Sequence, residues 1–252
     1  MKFNFLKKLQ EGTKITIDRR ITGQGILLVL IPVILFCSTL IIQKSIVQKK
    51  VSVEIEKDAN KNLAQITSDV AWLVKTTDTI LEKDVENNLN VARDEMKRYG
   101  SPNFSDQYVG WQVTNQNTME TKTLSLPKMN VGNIWLGKNY GFNRHTPIVD
   151  DVTKLVGGTC TIFQKMNSQG DMLRVATNVK KTDGSRAIGT YIPAQNEDGT
   201  PNEVVETLMA GNTYCGRAFV VNAWYKTIYE PIKDRNGNVI GSLYYGKKLD
   251  SV

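Results

Sequence analysis

The sequence predicts an α+β protein in which one long N-terminal helix leads from a membrane segment to an antiparallel sheet. Three observations carry this. Ile21 to Gln43 holds no charged residue and Ile26 to Ile42 is almost continuously apolar, enough to cross a hydrocarbon core at about 1.5 Å per residue. Gln43 to Tyr99 contains neither Gly nor Pro, so no breaker interrupts a helix there. Between Gly157 and Ile192, three short runs of β-branched and apolar residues alternate with turn residues, the pattern of consecutive strands.

The formal charge of +7 over 252 residues resembles a nucleic-acid signal until it is located. Lys2, Lys7, Lys8, Lys14, Arg19 and Arg20, against Glu11 and Asp18, put +4 in the first twenty residues and leave +3 elsewhere. No Lys/Arg stripe interleaved with aromatics follows, so no nucleic-acid partner is expected. Short basic segments stay cytoplasmic. The expected layout is a cytoplasmic tail (1–20), a transmembrane helix (21–43), a helical stalk (44–99) and an extracytoplasmic domain (100–252), single-pass in the cytoplasmic (inner) membrane. A cleaved signal peptide is the main rival, but Ser38-Thr39-Leu40-Ile41-Ile42 offers a poor small-x-small site. Cys37 follows Leu35-Phe36, not the small residues of a lipoprotein signal. A pilin leader needs Glu where Leu30 stands.

Along the stalk, Ala59, Leu63, Ile66, Val70, Leu73, Thr77 and Ile80 alternate spacings of four and three, a heptad seam that predicts a homodimer through the stalk. Leu81, Val85, Leu89, Ala92 and Met96 then drift toward four-residue spacing, as when a helix leaves a coiled coil to pack on a domain. A plain spacer, or two helices broken near Lys75–Asp78, is the alternative. Gly100-Ser101-Pro102 ends the helix.

Tyr108–Asn115 and Met119–Leu126 read as a hairpin, and Asn130–Arg144 as a long Gly-, Asn- and aromatic-rich loop. Pro147 opens a short helix through Leu155 that Gly157 stops. Strands are expected at Cys160–Met166, Met172–Lys180 and Arg186–Ile192. Asn202 is a plausible N-cap for a helix Glu203–Ala210. Gly216–Ala223, Trp224–Ile232 and Val239–Gly246 close the chain, the last two joined by a turn containing Asn236-Gly237. The expectation is a meander of five or six antiparallel strands with helices on one side.

Enzymatic chemistry finds little support. His145 is the single histidine, and no G-x-S-x-G, H-E-x-x-H or P-loop occurs. Asp234, Asn236 and Asn238 mimic the start of a calcium loop, but Gly237 is misplaced and Tyr245 stands where the closing Glu belongs. No metal and no cofactor is expected. Cys160 and Cys215 either form one bridge or are two small buried hydrophobes.

Several strings resemble a known family: GWQVTNQ (110–116), LSLPKM (124–129), GGTCTIFQKMNSQGDMLRVATNV (157–179), RAIGTYIPA (186–194) and GRAFVVNAWYKTIYEPIKDRNGNVIGSLYYGKKL (216–249). They look like the Cache 3/Cache 2 fusion domain, the extracytoplasmic sensor of methyl-accepting chemotaxis proteins and other transmembrane signalling proteins. The resemblance covers roughly residues 50 to 250. It implies a PAS-like sheet with a long N-terminal helix and a small-molecule ligand. Receptors of this kind continue with a second membrane helix, a HAMP linker and a coiled-coil signalling domain. The sequence ends at Val252, so the expectation is a sensing module lacking its cytoplasmic output. The other class is a membrane-tethered interaction protein that pairs with full-length receptors and binds no ligand.

A pocket on such a domain needs a concave sheet face and a few convergent polar groups. Arg174 interrupts an apolar strand, and its guanidinium can hold a carboxylate bidentately; a salt bridge on a solvated face is the alternative. Arg217 opens another strand, and Tyr191, Asn222, Trp224 and Tyr225 offer rings and hydrogen bonds, although core packing is the commoner use of such residues. Trp135 and Arg144 are candidates for a lid, with Arg186 and Lys226 less favoured. The arginines and the ligands of related Cache sensors point to a small organic anion, such as a carboxylate.

Overall fold

The computed structural model describes the backbone of residues 2–249 and the side chains of residues 23–249. The side chains of the basic tail expected at residues 1–20 therefore lie outside the described residues. Helix α1 runs unbroken from Lys2 to Tyr99 with Pro32 inside it, so the stretch Lys75–Asp78 does not interrupt it. The chain divides into two compact units, Met1–Leu73 and Val74–Val252.

The first unit holds a helical stretch long and apolar enough to cross a membrane. Its apolar side chains from Ile26 to Ile42 are exposed. The Ser38 and Thr39 hydroxyls donate back to the Leu35 and Phe36 carbonyls, which satisfies polar groups that lipid could not. The seam residues Leu63, Ile66, Val70 and Leu73 are exposed in the single chain.

In the second unit the last turns of α1, with Val85 to Met96 on the buried side, pack on one nine-stranded sheet. The strands are β1 (Pro102–Asn115), β2 (Thr121–Val131), β3 (Ile134–Trp135), β4 (Thr159–Lys165), β5 (Met172–Thr177), β6 (Thr190–Ile192), β7 (Tyr214–Val220), β8 (Ala223–Lys233) and β9 (Val239–Lys248). Their spatial order is β3-β2-β1-β6-β5-β4-β9-β8-β7. All neighbours are antiparallel except β1 and β6, which run parallel through Thr114 and Thr190. The architecture is thus α+β, with more strands than the predicted meander.

Val85, Leu89, Ala92 and Met96, spaced by four, three and four residues, are buried in one core with Ile162, Ile228, Leu243 and Tyr245. Helix α2 (Val149–Val156) adds Val149 and Val152 to the same layer. The other face carries Phe163, Met172, Tyr229 and Tyr244 beneath Val204, Val205 and Leu208 of helix α3 (Glu203–Met209). This corrects the expectation of helices on one side only. Alternating residues of β8 and β9 feed the two layers, because adjacent strand residues point to opposite faces.

Turn chemistry sets the boundaries. The Gly100 and Gly132 backbones touch, and a Cβ on Gly132 would lie 2.2 Å from the Tyr99 carbonyl oxygen, so α1 stops where β2 turns into β3. Asn202 caps α3, accepting from the Val204 and Val205 N–H groups. The predicted strand Arg186–Ile192 shrinks to Thr190–Ile192, because Thr190 N–H turns back to Ala187 O and Gly189 adopts φ 82°. Cys160 and Cys215 are both free thiols. Burial pushes the Cys215 thiol up to about 11 and Cys160 higher still; Cys160 is buried in the core, and Cys215 is partly buried against it.

Candidate functional site

The sheet places three buried cations in different surroundings, and the contrast between them singles out one. Lys226 lies on the α1 face, where its ammonium meets Asp78 at 3.2 Å and Glu82 at 3.7 Å. Both carboxylates come from α1, so this cation is neutralised. Lys247 with Asp84 at 2.8 Å and the two-pronged Arg93–Glu230 pair complete the grip of the sheet on α1.

Arg186 is 1 % exposed and fully engaged. Its fork meets both Asp150 oxygens at 2.7 and 2.8 Å, and it also donates to the Gly141 and Thr177 carbonyls. Its guanidinium carbon sits 4.2 Å from the Phe142 ring centroid. Arg186 therefore pins the expected loop Asn130–Arg144 to the sheet. Next to it, Asp151 anchors the start of α2. Burial alone would raise its pKa, but hydrogen bonds from the Tyr99 hydroxyl, the Ile148 N–H and His145 outweigh this and hold it below the usual value. The folded carboxyl is thus the stronger acid. Its contribution is complete above the ordinary carboxylate pKa of 3.8 and is lost as pH falls through the lower folded value. Asp151→Asn is accordingly expected to melt below wild type at pH 7, with the gap closing on acidification; a gap independent of pH would refute this role.

Arg174 differs from both. It is 1 % exposed, on β5, on the α3 face. Its terminal nitrogens donate to Thr190 Oγ1 at 2.8 Å and to Gln116 Oε1 at 2.9 Å, both neutral. Its Nε–H has no partner. Among the described residues no carboxylate lies within ion-pair distance. Burial lowers its pKa, yet an arginine stays charged near neutral pH. Its guanidinium rests on Phe163, 5.0 Å from the centroid. Tyr229 and Tyr244 continue the cluster, with centroids 6.0 and 6.4 Å from Phe163 and 4.8 Å from each other. Burial pushes both phenols upward, so neither supplies a counter-ion. The result is a buried positive charge in an aromatic, largely apolar layer, with donors to spare.

The eight residues singled out from the sequence do not converge. Arg174 and Tyr225 share the α3 face. Tyr191 pairs with Leu173 and belongs to the α1-face core, where Lys122 covers its ring. Arg217 pairs with Lys226 and Trp224 with Phe219 on the α1 face, at the β7 edge of the sheet, whereas β5 is its central strand. With Asn222 and Lys248, Arg217 and Trp224 line an open hollow of about 850 Å3 at the β7–β8 turn. There Arg217 is more than half exposed and 3.7 Å from Asp78. A second hollow of about 500 Å3 lies between Tyr99 and Lys154. Trp135 is partly exposed on the short edge strand β3 under Lys128. Arg144 is exposed and contributes its carbonyl to Asn139 and Arg186.

Phe163, Tyr229, Tyr244, Thr190 and Gln116 were not among the sequence candidates. Pairing Arg174 with Phe163 across β5 and β4 would have exposed the first of them, but that register is invisible in sequence because both faces of β4, β5 and β9 are buried.

A family model of the Cache 3/Cache 2 fusion domain matches residues 48–252. The chain matches no curated protein sequence. The match takes in the stalk region, the whole sheet and the Arg174 cluster. The chain therefore belongs to the Cache 3/Cache 2 fusion domain family, a sensor fold for small molecules.

Proposed function

We propose that this protein is a membrane sensor whose domain, outside the cytoplasmic membrane, binds a small organic anion at Arg174. The observation that carries the reading is the missing counter-charge. Burying an unpaired ion costs several kcal/mol, and two hydrogen bonds from a charged group return about 1.5–3 kcal/mol each. An anion at 4 Å adds attraction on the order of 4 kcal/mol at an effective dielectric of about 20. Arg186 and Lys226 already have that partner; among the described residues Arg174 has none.

The layout in this reading is a cytoplasmic tail over 1–20, a membrane helix over 21–43, a stalk over 44–99 and a sensor domain over 100–252. The exposed heptad side chains of the stalk pair two copies. Strands β8 and β9 carry Tyr229 and Tyr244 on the ligand side, and Glu230 and Tyr245 bonded to Arg93 and Asn88 of α1. Adjacent residues thus connect the aromatic cluster to the stalk. Ligand binding would tighten the sheet and shift α1 along or about its axis, and in a receptor of the chemotaxis type this movement would reach a cytoplasmic output domain.

A thermal-shift screen of the full chain in detergent micelles against carboxylates tests the reading. At least one small carboxylate should raise the melting temperature, by roughly 2.7 kcal/mol of stability at a hundred times its Kd. If none does, the reading as a tethered interaction protein without ligand takes its place.

A further inference from the structure

The stalk seam and the sheet meet at one ion pair. We infer that Asp84 and Lys247 of two copies of this chain form a shared charged layer that ends the seam, so that strand β9 takes part in pairing the copies. The inference rests on the stalk dimer of the reading above and is independent of the anion site.

Spacing brings Asp84 into the seam. The alternation of four and three that runs to Thr77 and Ile80 reaches Asp84 next, an inward-facing place in a heptad. At about 100° per residue, Asp84 lies about 20° from Thr77 and about 40° from Ile80 round the helix, but about 100° from Val85, which is buried against the sheet. Thr77 and Ile80 are exposed, so this stripe is open in the single chain.

The sheet reaches the same stripe from the side. Lys247 Nζ donates to Asp84 at 2.8 Å, and one turn on the Tyr245 hydroxyl accepts from Asn88 at 3.2 Å. Two residues of a strand and four of a helix cover nearly the same length, about 7 and about 6 Å, so β9 runs antiparallel beside the seam. Lys248 belongs to the other face of β9, with its pair Tyr225. Lys83 and Glu86 stand about 100° and about 160° round α1 from Asp84. Among the described residues, Asp84 and Lys247 are therefore the charges facing the seam at this level. Their side chains stay 36 % and 52 % exposed, within reach of a partner.

In a two-fold dimer of parallel helices, Asp84 faces its own copy. Two carboxylates alone would repel there. Each brings a Lys247, so the patch carries both signs and is complementary to itself. Flanking charges set register and orientation in coiled coils; here the sheet supplies the cation.

The test mixes two full chains of different tag mass in detergent micelles and counts the species by native mass spectrometry. One carries Lys247→Glu and is acidic at the layer; the other carries Asp84→Lys and is basic. Both lose the ion pair within the chain, so a role confined to one chain favours no partner. Each variant alone is expected to dimerise at least ten-fold more weakly than wild type. Mixed, they are expected to form heterodimer at least ten-fold above either homodimer, where indifferent mixing gives two-fold. Homodimers as tight as wild type, or a two-fold mixture, would overturn the layer and leave the stalk dimer standing. Wild type that stays monomeric would overturn the inference together with the stalk dimer, and neither result touches the anion site. Lys247→Gln removes the cation without adding a like charge and covers a reversal that fails to fold. Its dimer is also expected to be at least ten-fold weaker than wild type, and an unchanged dimer would overturn the layer.

Discussion

Arg186→Ala is expected to destabilise the domain by about 3–5 kcal/mol, the usual cost of removing one partner of a buried ion pair. The loss has an identifiable source. Asp150 would keep its negative charge at the start of α2 with only the Thr146 N–H to hold it. The Gly141 and Thr177 carbonyls would lose their donor. The turn that follows is already under strain: Ile148, fully buried and β-branched, sits at φ 71° and ψ −66°, and the Val149 N–H closes a γ-turn on the Pro147 carbonyl at 2.9 Å. Such a conformation costs on the order of 1–3 kcal/mol and persists only where its surroundings over-determine it. The Asp150 and Asp151 side chains do so here, bonding the Thr146 and Ile148 N–H groups. Urea denaturation of wild type and variant measures the loss; a change below about 1 kcal/mol would show that the clamp does not hold this segment.

Arg174→Met is expected to do the opposite. Methionine fills a similar volume in an apolar layer, and replacing a buried charge that lacks a counter-ion by a hydrophobe is often neutral or stabilising, by about 1–4 kcal/mol. Thr190 Oγ1 still donates to the Ala187 carbonyl, and half-buried Gln116 can turn to water. The variant should melt at or above the wild-type temperature without ligand and show no response to carboxylates. Two arginines, equally buried in one domain, thus carry opposite expectations, because one has its carboxylate and the other does not. A large loss of stability in Arg174→Met would make Arg174 a structural residue.

Much of this arrangement is legible in the residues. The packing stripe Val85–Leu89–Ala92–Met96, the Asn202 cap and the Asn236-Gly237 turn are local patterns, and local patterns survive folding. Arg174 stands out because a cation inside an apolar strand demands an explanation. What the residues do not show is register. A run such as Val239–Gly246, buried throughout, lacks the in–out alternation that would assign Tyr244 to one face and Tyr245 to the other. The parallel β1–β6 pairing joins residues far apart in the chain, and it alone brings Gln116 beside β6. Trp135, Arg217 and Trp224 were attractive as residue types, yet edge and turn positions left them exposed and apart.

The central claim, that Arg174 holds the ligand's negative charge, meets its most direct test in calorimetric titration of the full chain. The carboxylate giving the largest thermal shift is titrated into wild type and into Arg174→Met, both confirmed folded by circular dichroism. Loss of a charge-assisted, two-pronged contact predicts affinity at least a hundred-fold weaker in the variant, about 2.7 kcal/mol. An unchanged Kd in folded Arg174→Met would place the ligand elsewhere and contradict the account.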